Sequence, residues 1–319
     1  MKTVVRILAL VAAVVAVAPA QSDATLPPPP FRETVLPMKI ADGDPSDPGR
    51  VYSVPVTCNQ VAADFEVGCY GTSRVSSTFA KRCNLQVVTD RVLDRMRDSQ
   101  NKPMYEGSAM ATVEIGGQER TVCVSVMKDE YCQKPEKEGL LGYDVIKDFQ
   151  WEINPVALTF TLRPATTLPA KKPLYILPLR VGEDGYYLKV RIRNVTQDLA
   201  LMPGSSFIQA GLSLQHAWDL TSGEKITVDV GSRFGDVRTT WLRGNDNVEL
   251  TKYLKETDLP VALIGDAKKP QFSKMLDSGL GQCVLNRYVY CVEPRRQQFR
   301  IIARTPATTR PAESDAKSK

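Results

Sequence analysis

The segment from Gly139 to Pro155 lies over the segment from Ser278 to Pro294 without a gap. Leu141 then meets Leu280, Gly142 meets Gly281, Val145 meets Val284, Ile146 meets Leu285, Phe149 meets Tyr288, Ile153 meets Val292 and Pro155 meets Pro294. Just beyond, Phe160 meets Phe299. An internal repeat constrains a fold more than any local propensity, because both copies must bury the same apolar positions in the same kind of unit. Upstream the likeness continues: Tyr52 to Val56 (YSVPV) resembles Tyr175 to Leu179 (YILPL), and Gly71-Thr72-Ser73 resembles Gly204-Ser205-Ser206. Each half runs in one order: a leading strand, a strand ending at a Gly-hydroxyl turn, further strands, then a Leu-Gly motif, a short helix and a last strand. The halves are residues 50–163 and 174–303, joined by the proline-punctuated linker 164–173.

What lies outside the repeat is of another kind. Residues 1–20 read as an export signal: Lys2 and Arg6 precede an apolar run from Ile7 to Ala18, and Ala18-Pro19-Ala20 offers small residues for cleavage. That run is about a dozen residues, short of the roughly 20 that span a bilayer, and nothing downstream is apolar enough to do so. The expectation is an exported protein, periplasmic or extracellular, with no integral membrane segment in the mature chain. Residues 21–49, with four prolines at Pro27 to Pro30, read as an extended lead-in, and residues 304–319 as a disordered tail. The chain's net charge is +5, and removing Lys2, Arg6 and the tail leaves about +1. Such a balance gives no footing for nucleic acid. Seven cysteines in an exported chain argue for disulfides, with at least one thiol left over. They show no tight pair spacing, and His216 is the only histidine, so neither a metal nor a cofactor is expected.

Inside each half the signals are mainly those of strands. Ala111 to Ile115 alternates, Gly116-Gly117 is a hairpin turn, and Thr121 to Val126 returns the chain. Helices read as short: Val75 to Arg82, Asp90 to Arg97, and a turn or two after Gly142 and after Gly281. The fold class expected is all-β, in two related lobes.

Gly71-Thr72-Ser73 followed by a short helix, then Ile115-Gly116-Gly117, then Gly139 to Asp144 (GLLGYD), resembles in order and spacing the aspartic peptidases of the retropepsin and pepsin type. The likeness covers both halves and is strongest from Gly139 to Leu162. It implies two homologous acid-protease-like β-barrel lobes with a cleft between them that takes an extended peptide. In such enzymes one aspartate from each lobe stands two residues before the glycine of its turn, and the two share a proton. Those positions are Cys69 and Met202 here, followed by Tyr70 and Pro203. A thiol titrates near 8.5 when unperturbed, a thioether has no proton to exchange, and proline has no amide hydrogen. The resemblance therefore implies a peptidase shell without its acid pair, acting as a peptide-binding or structural module. Tyr70, Gly71, Thr72, Ser73, Pro203, Gly204 and Ser205 would line the cleft, and Asn101 to Gly107 would form a first-lobe flap. The competing reading is a hydrolase with an atypical site. It would need Cys69 activated by His216, or a substitute acid from among Asp64, Asp144 and Asp266; Asp144 suits a capping role better. Cys69 otherwise packs as a small apolar residue or bonds to a neighbour such as Cys58.

Overall fold

The structure, a computed structural model, describes residues 31–42, 49–95, 101–132, 138–167, 171–192, 195–210, 224–232, 235–243, 248–257, 259, 261–263 and 278–306. The first half supplies β1 (Thr34–Pro37), β2 (Lys39–Asp42), β3 (Val51–Cys58), β4 (Val61–Val67), β5 (Arg74–Ser76), α1 (Ser77–Arg82), β6 (Tyr105–Ile115) and β7 (Gln118–Met127). It ends with β8 (Gly139–Leu141), α2 (Tyr143–Ile146), β9 (Phe149–Asn154) and β10 (Thr159–Pro164). The second half supplies β11 (Tyr175–Val181), β12 (Tyr186–Ile192), β13 (Val195–Leu201), β14 (Ile208–Ala210), β15 (Glu224–Ser232), β16 (Gly235–Arg243), β17 (Val248–Thr251) and β18 (Leu254–Glu256). There follow β19 (Val261–Leu263), β20 (Gly279–Leu280), α3 (Gln282–Leu285), β21 (Tyr288–Glu293) and β22 (Gln298–Arg304). The protein is mostly β, as its sequence leads one to expect, and the expected short helices appear after the first turn and after both Leu-Gly motifs. Of the helix expected over Asp90 to Arg97, the described part, which ends at Arg95, holds a 3-10 turn at Leu93–Arg95.

The strands do not divide into two clear barrels. One seven-stranded sheet runs β2-β3-β4-β8-β5-β7-β6, with β6 returning to β3. The other sheet has fifteen strands, and it takes β1, β9 and β10 from the first half. Within it the order β1-β10-β9-β21-β22-β11 is palindromic in the repeat, and the halves join where β9 pairs antiparallel with β21, Trp151 opposite Val292 and Ile153 opposite Tyr290.

Pairing shows the repeat more sharply than the letters do. β4 runs parallel to β8, with Val67 opposite Leu141, as β13 runs parallel to β20, with Leu201 opposite Leu280. The strand after each turn, β5 or β14, lies antiparallel on the other side of that Leu-Gly strand. It also pairs in parallel with a later strand, β7 or β19. One sequence match shifts. Tyr175 to Pro178 pairs with β22, Leu177 opposite Phe299, just as Thr34 to Pro37 pairs with β10, Leu36 opposite Phe160. The counterpart of YILP is thus TVLP in β1, and the segment assigned to the lead-in contributes two strands. Tyr52 corresponds instead to Tyr186, each one residue before the position facing Glu66 or Ala200.

The repeated apolar positions meet in the middle. Trp151 stacks on Phe160 at 6.0 Å, its counterpart Tyr290 stacks on Phe299 at 5.1 Å, and Trp151 and Tyr290 touch edge to face at 6.0 Å. All four are buried, and burying aromatic side chains of this size dominates the energetics of such a core.

Candidate functional site

Each turn begins where its strand ends under a Leu-Gly motif. In the first, the amides of Gly68 and Cys69 both donate to the Leu141 carbonyl, at 2.9 and 3.1 Å. In the second, the Met202 amide donates to the Leu280 carbonyl at 3.1 Å. The strand register thus makes Gly68, directly after Val67, the partner of Met202, whereas counting back from Gly71 and Gly204 points to Cys69. The first turn is one residue longer. Cys69 takes up the difference with φ of 55°, a left-handed conformation that a residue with a Cβ enters at a cost.

The first turn is braced by side chains. The Ser73 amide donates to both Asp144 carboxylate oxygens at 3.0 and 3.1 Å, the Ser73 hydroxyl donates to Oδ1 at 2.7 Å, and the Gly142 amide donates to Ser73 Oγ at 2.9 Å. Burial raises the Asp144 carboxyl above its ordinary range, opposed by these Ser73 bonds and one from the Val145 amide. In the second turn the residue matching Asp144 is Cys283, whose amide donates to Ser206 O at 3.2 Å, while the Gln282 amide donates to Ser205 O at 2.7 Å as the Tyr143 amide donates to Gly71 O at 2.9 Å in the first. Both Leu-Gly glycines are forced by close approach. A Cβ on Gly142 would sit 2.4 Å from Ser73 N, and one on Gly281 would sit 2.1 Å from Phe207 O.

The two turns meet. A Cβ on Gly204 would lie 3.3 Å from Gly68 Cα and 3.2 Å from Glu66 Oε1, so the backbones of the halves nearly touch beside a buried carboxylate. Tyr70 packs on the cluster of Tyr187, Ala200 and Met202. A loop of the second half then grips the first turn. Asp184 accepts from the Tyr70 hydroxyl at 3.0 Å and the Tyr187 hydroxyl at 2.6 Å, while its carbonyl accepts from the Gly71 amide at 2.7 Å. The Tyr143 hydroxyl donates to the Gly182 carbonyl at 3.1 Å. Gly185 bridges Tyr70, whose ring lies where a Cβ would be.

The residues expected to line a cleft are therefore largely covered. Ser73, Pro203 and Ser205 are buried, Tyr70, Gly71 and Gly204 are half-buried, and only Thr72 is exposed. Cys69 is fully buried beside the phenols of Tyr186 and Tyr290, and burial holds its thiol well above the ordinary value. His216 and Asp266 lie outside the described residues. Asp64 is an exposed partner of Lys39. The expected flap differs too: Met104 and Tyr105 are buried against Met127 and Tyr131, and the hairpin end is the Gly116–Gly117 turn between β6 and β7, where the Gly116 carbonyl accepts from the Thr34 hydroxyl at 3.3 Å. An open groove of about 590 Å³, lined in part by Lys39, Pro55, Asp64, Glu114, Gly116 and Glu138, includes none of the residues expected to line a cleft.

None of the seven cysteines is disulfide-bonded, which corrects the expected disulfides, and Cys58 adjoins Cys83, not Cys69. Among the described residues no three His, Cys, Asp or Glu side chains converge to hold a metal ion, and no helix is long and apolar enough to cross a membrane. Sequence reasoning missed Gly68 and Glu66. Counting outward from Val67 and Leu201 finds the first, whereas Glu66 alternates with Ala62 and Asp64 as if facing solvent, and only the second half covers it.

Compared with known proteins, the chain matches no family model and no curated protein.

Proposed function

We propose that this chain is an exported, catalytically inactive relative of the aspartic peptidases, a two-lobed shell whose paired turns hold the halves together instead of cleaving peptides. The observation that carries the reading is the meeting of the turns. They approach each other at Gly68 and Gly204, yet the positions where acids would stand are a glycine, a buried thiol and a buried thioether. Neither a buried, protonated thiol nor a thioether can share and pass the proton that peptide hydrolysis needs. The covering of the first turn by Asp184 and Gly185 favours a structural role over an open interlobe cleft. An extended peptide partner would pair with a free strand edge.

The test is digestion of an unfolded protein substrate from pH 3 to pH 8, with and without a transition-state mimic of aspartic peptidases. No cleavage above background is expected at any pH. Robust cleavage that disappears in Cys69→Ala would overturn the reading.

A further inference from the structure

Cys58 and Cys83 stand apart from the other thiols. Cys58 closes β3 and faces Val113 of β6, while Cys83 caps the C-terminal end of α1. Asn59, the next residue after Cys58, ties the two together. Its side-chain amide donates to the Cys83 carbonyl at 3.3 Å, its Oδ1 accepts from the Thr112 amide at 2.8 Å, and its own amide donates to the Thr112 carbonyl at 2.8 Å. Both side chains are buried, and the two thiols are close neighbours, each perturbing the other. The remaining cysteines form no second such pair among the described residues.

We propose that Cys58 and Cys83 are a dithiol that a disulfide-carrying thiol oxidant converts to a disulfide, stapling the end of β3 to the end of α1. The chemistry balances. One cysteine, as thiolate, attacks a sulfur of the oxidant, forming a mixed disulfide and releasing one thiol. The second cysteine attacks the protein sulfur of that bond and releases the other thiol, so two protons and two electrons pass to the oxidant. The closed loop contains the whole first turn and α1. Burial of both thiols confines the exchange to the folding chain or to a local opening of α1, because an attacking thiolate must reach water and oxidant. None of this depends on the peptidase resemblance.

The full chain, purified reduced, is incubated with oxidised glutathione across sub-denaturing urea, blocked with an alkylating reagent, and digested after basic and glutamyl residues. The cut at Glu66 separates Cys58 from Cys69. The expected result is one linked peptide pair, Cys58 to Cys83, with the other five cysteines never bridged. The bridged protein should melt roughly 5–10 °C above the reduced one. In Cys83→Ser, glutathione should stay on Cys58 as a trapped mixed disulfide. The proposal is overturned if wild type keeps both thiols, carries glutathione on either without bridging, or links Cys58 elsewhere.

Discussion

Replacing Gly142 with alanine tests whether the first turn is packed under the Leu-Gly motif. The φ of Gly142 is −87°, open to any residue, so the cost comes from the added Cβ alone. That atom would meet Ser73 N at 2.4 Å, Thr72 C at 2.5 Å and Gly71 O at 2.7 Å, all backbone, none of which can swing aside. Relief of about 1 Å must displace Ser73, and with it the Ser73 amide and hydroxyl bonds to Asp144 and the Gly142 amide bond to Ser73 Oγ. Overpacking of this kind and the weakening of charge-assisted bonds together cost about 3–5 kcal/mol. The lower entropy of an unfolded alanine chain returns about 0.5–1 kcal/mol, leaving a net loss near ~3 kcal/mol. Equilibrium urea unfolding followed by tryptophan fluorescence should show the midpoint falling by about 1 M with unchanged slope. Gly117→Ala is the control. Its φ is 76° and nothing lies within 4 Å of the new Cβ, so only backbone strain of about 1 kcal/mol is expected. If Gly142→Ala shifts the midpoint no more than Gly117→Ala, the turn is not seated as described.

Asp184→Ala should cost about 2 kcal/mol and Tyr70→Phe about 1 kcal/mol, modest because Asp184 is half-exposed. Combined, the two should cost no more than Asp184→Ala alone, and faster hydrogen exchange at the Gly71 amide, bonded to the Asp184 carbonyl, should accompany both. A maleimide on the native reduced protein should label exposed Cys123 first. Buried Cys58 and Cys291, both pushed up to about 12 chiefly by burial, and buried Cys69 should react only on unfolding, as peptide mapping will show.

The order of elements, the repeat and the hairpin at Gly116–Gly117 were legible because each rests on apolar spacing or on glycine's access to positive φ, and both are local. Identity of particular strands was less so. Tyr175 to Leu179 and Tyr52 to Val56 share a tyrosine and a proline, but β1 and β11 are matched by the partner each lies against, and a partner leaves no mark in a five-residue string. The acid positions suffered similarly. Gly71 and Gly204 are conspicuous letters, yet the ladder is counted from Val67 and Leu201, and an extra residue at Cys69 separates the two counts. Glu66 on an alternating strand reads as a solvent-facing acid until the second half closes over it.

The buried setting of Cys69 also decides what an acid there would do. The turn is held by backbone amides and by Ser73 with Asp144, and the Cys69 side chain contributes packing only, so its chemistry is free to become apolar without loss of the fold. The reverse change is not free. Asp at position 69 would be sealed beside Tyr186 and Tyr290, with no described cation against it, and burial would raise its pKa. If that pKa rose from about 3.9 to about 7, the charged form at pH 7 would cost about 4 kcal/mol of stability. The sign follows from linkage: a carboxyl whose folded pKa is raised contributes most below its unfolded value and loses that contribution as pH rises through the folded one. Cys69→Asp should thus lie close to wild type in urea stability at pH 4 and well below it at pH 7. Cys69→Asp with Met202→Asp should remain inactive toward unfolded protein, because counting from Val67 and Leu201 makes Gly68, not Cys69, the counterpart of Met202. Equal stability at both pH values would show the 69 side chain to be solvated, and acid-range cleavage by the double variant would show the turn to be a recoverable active site.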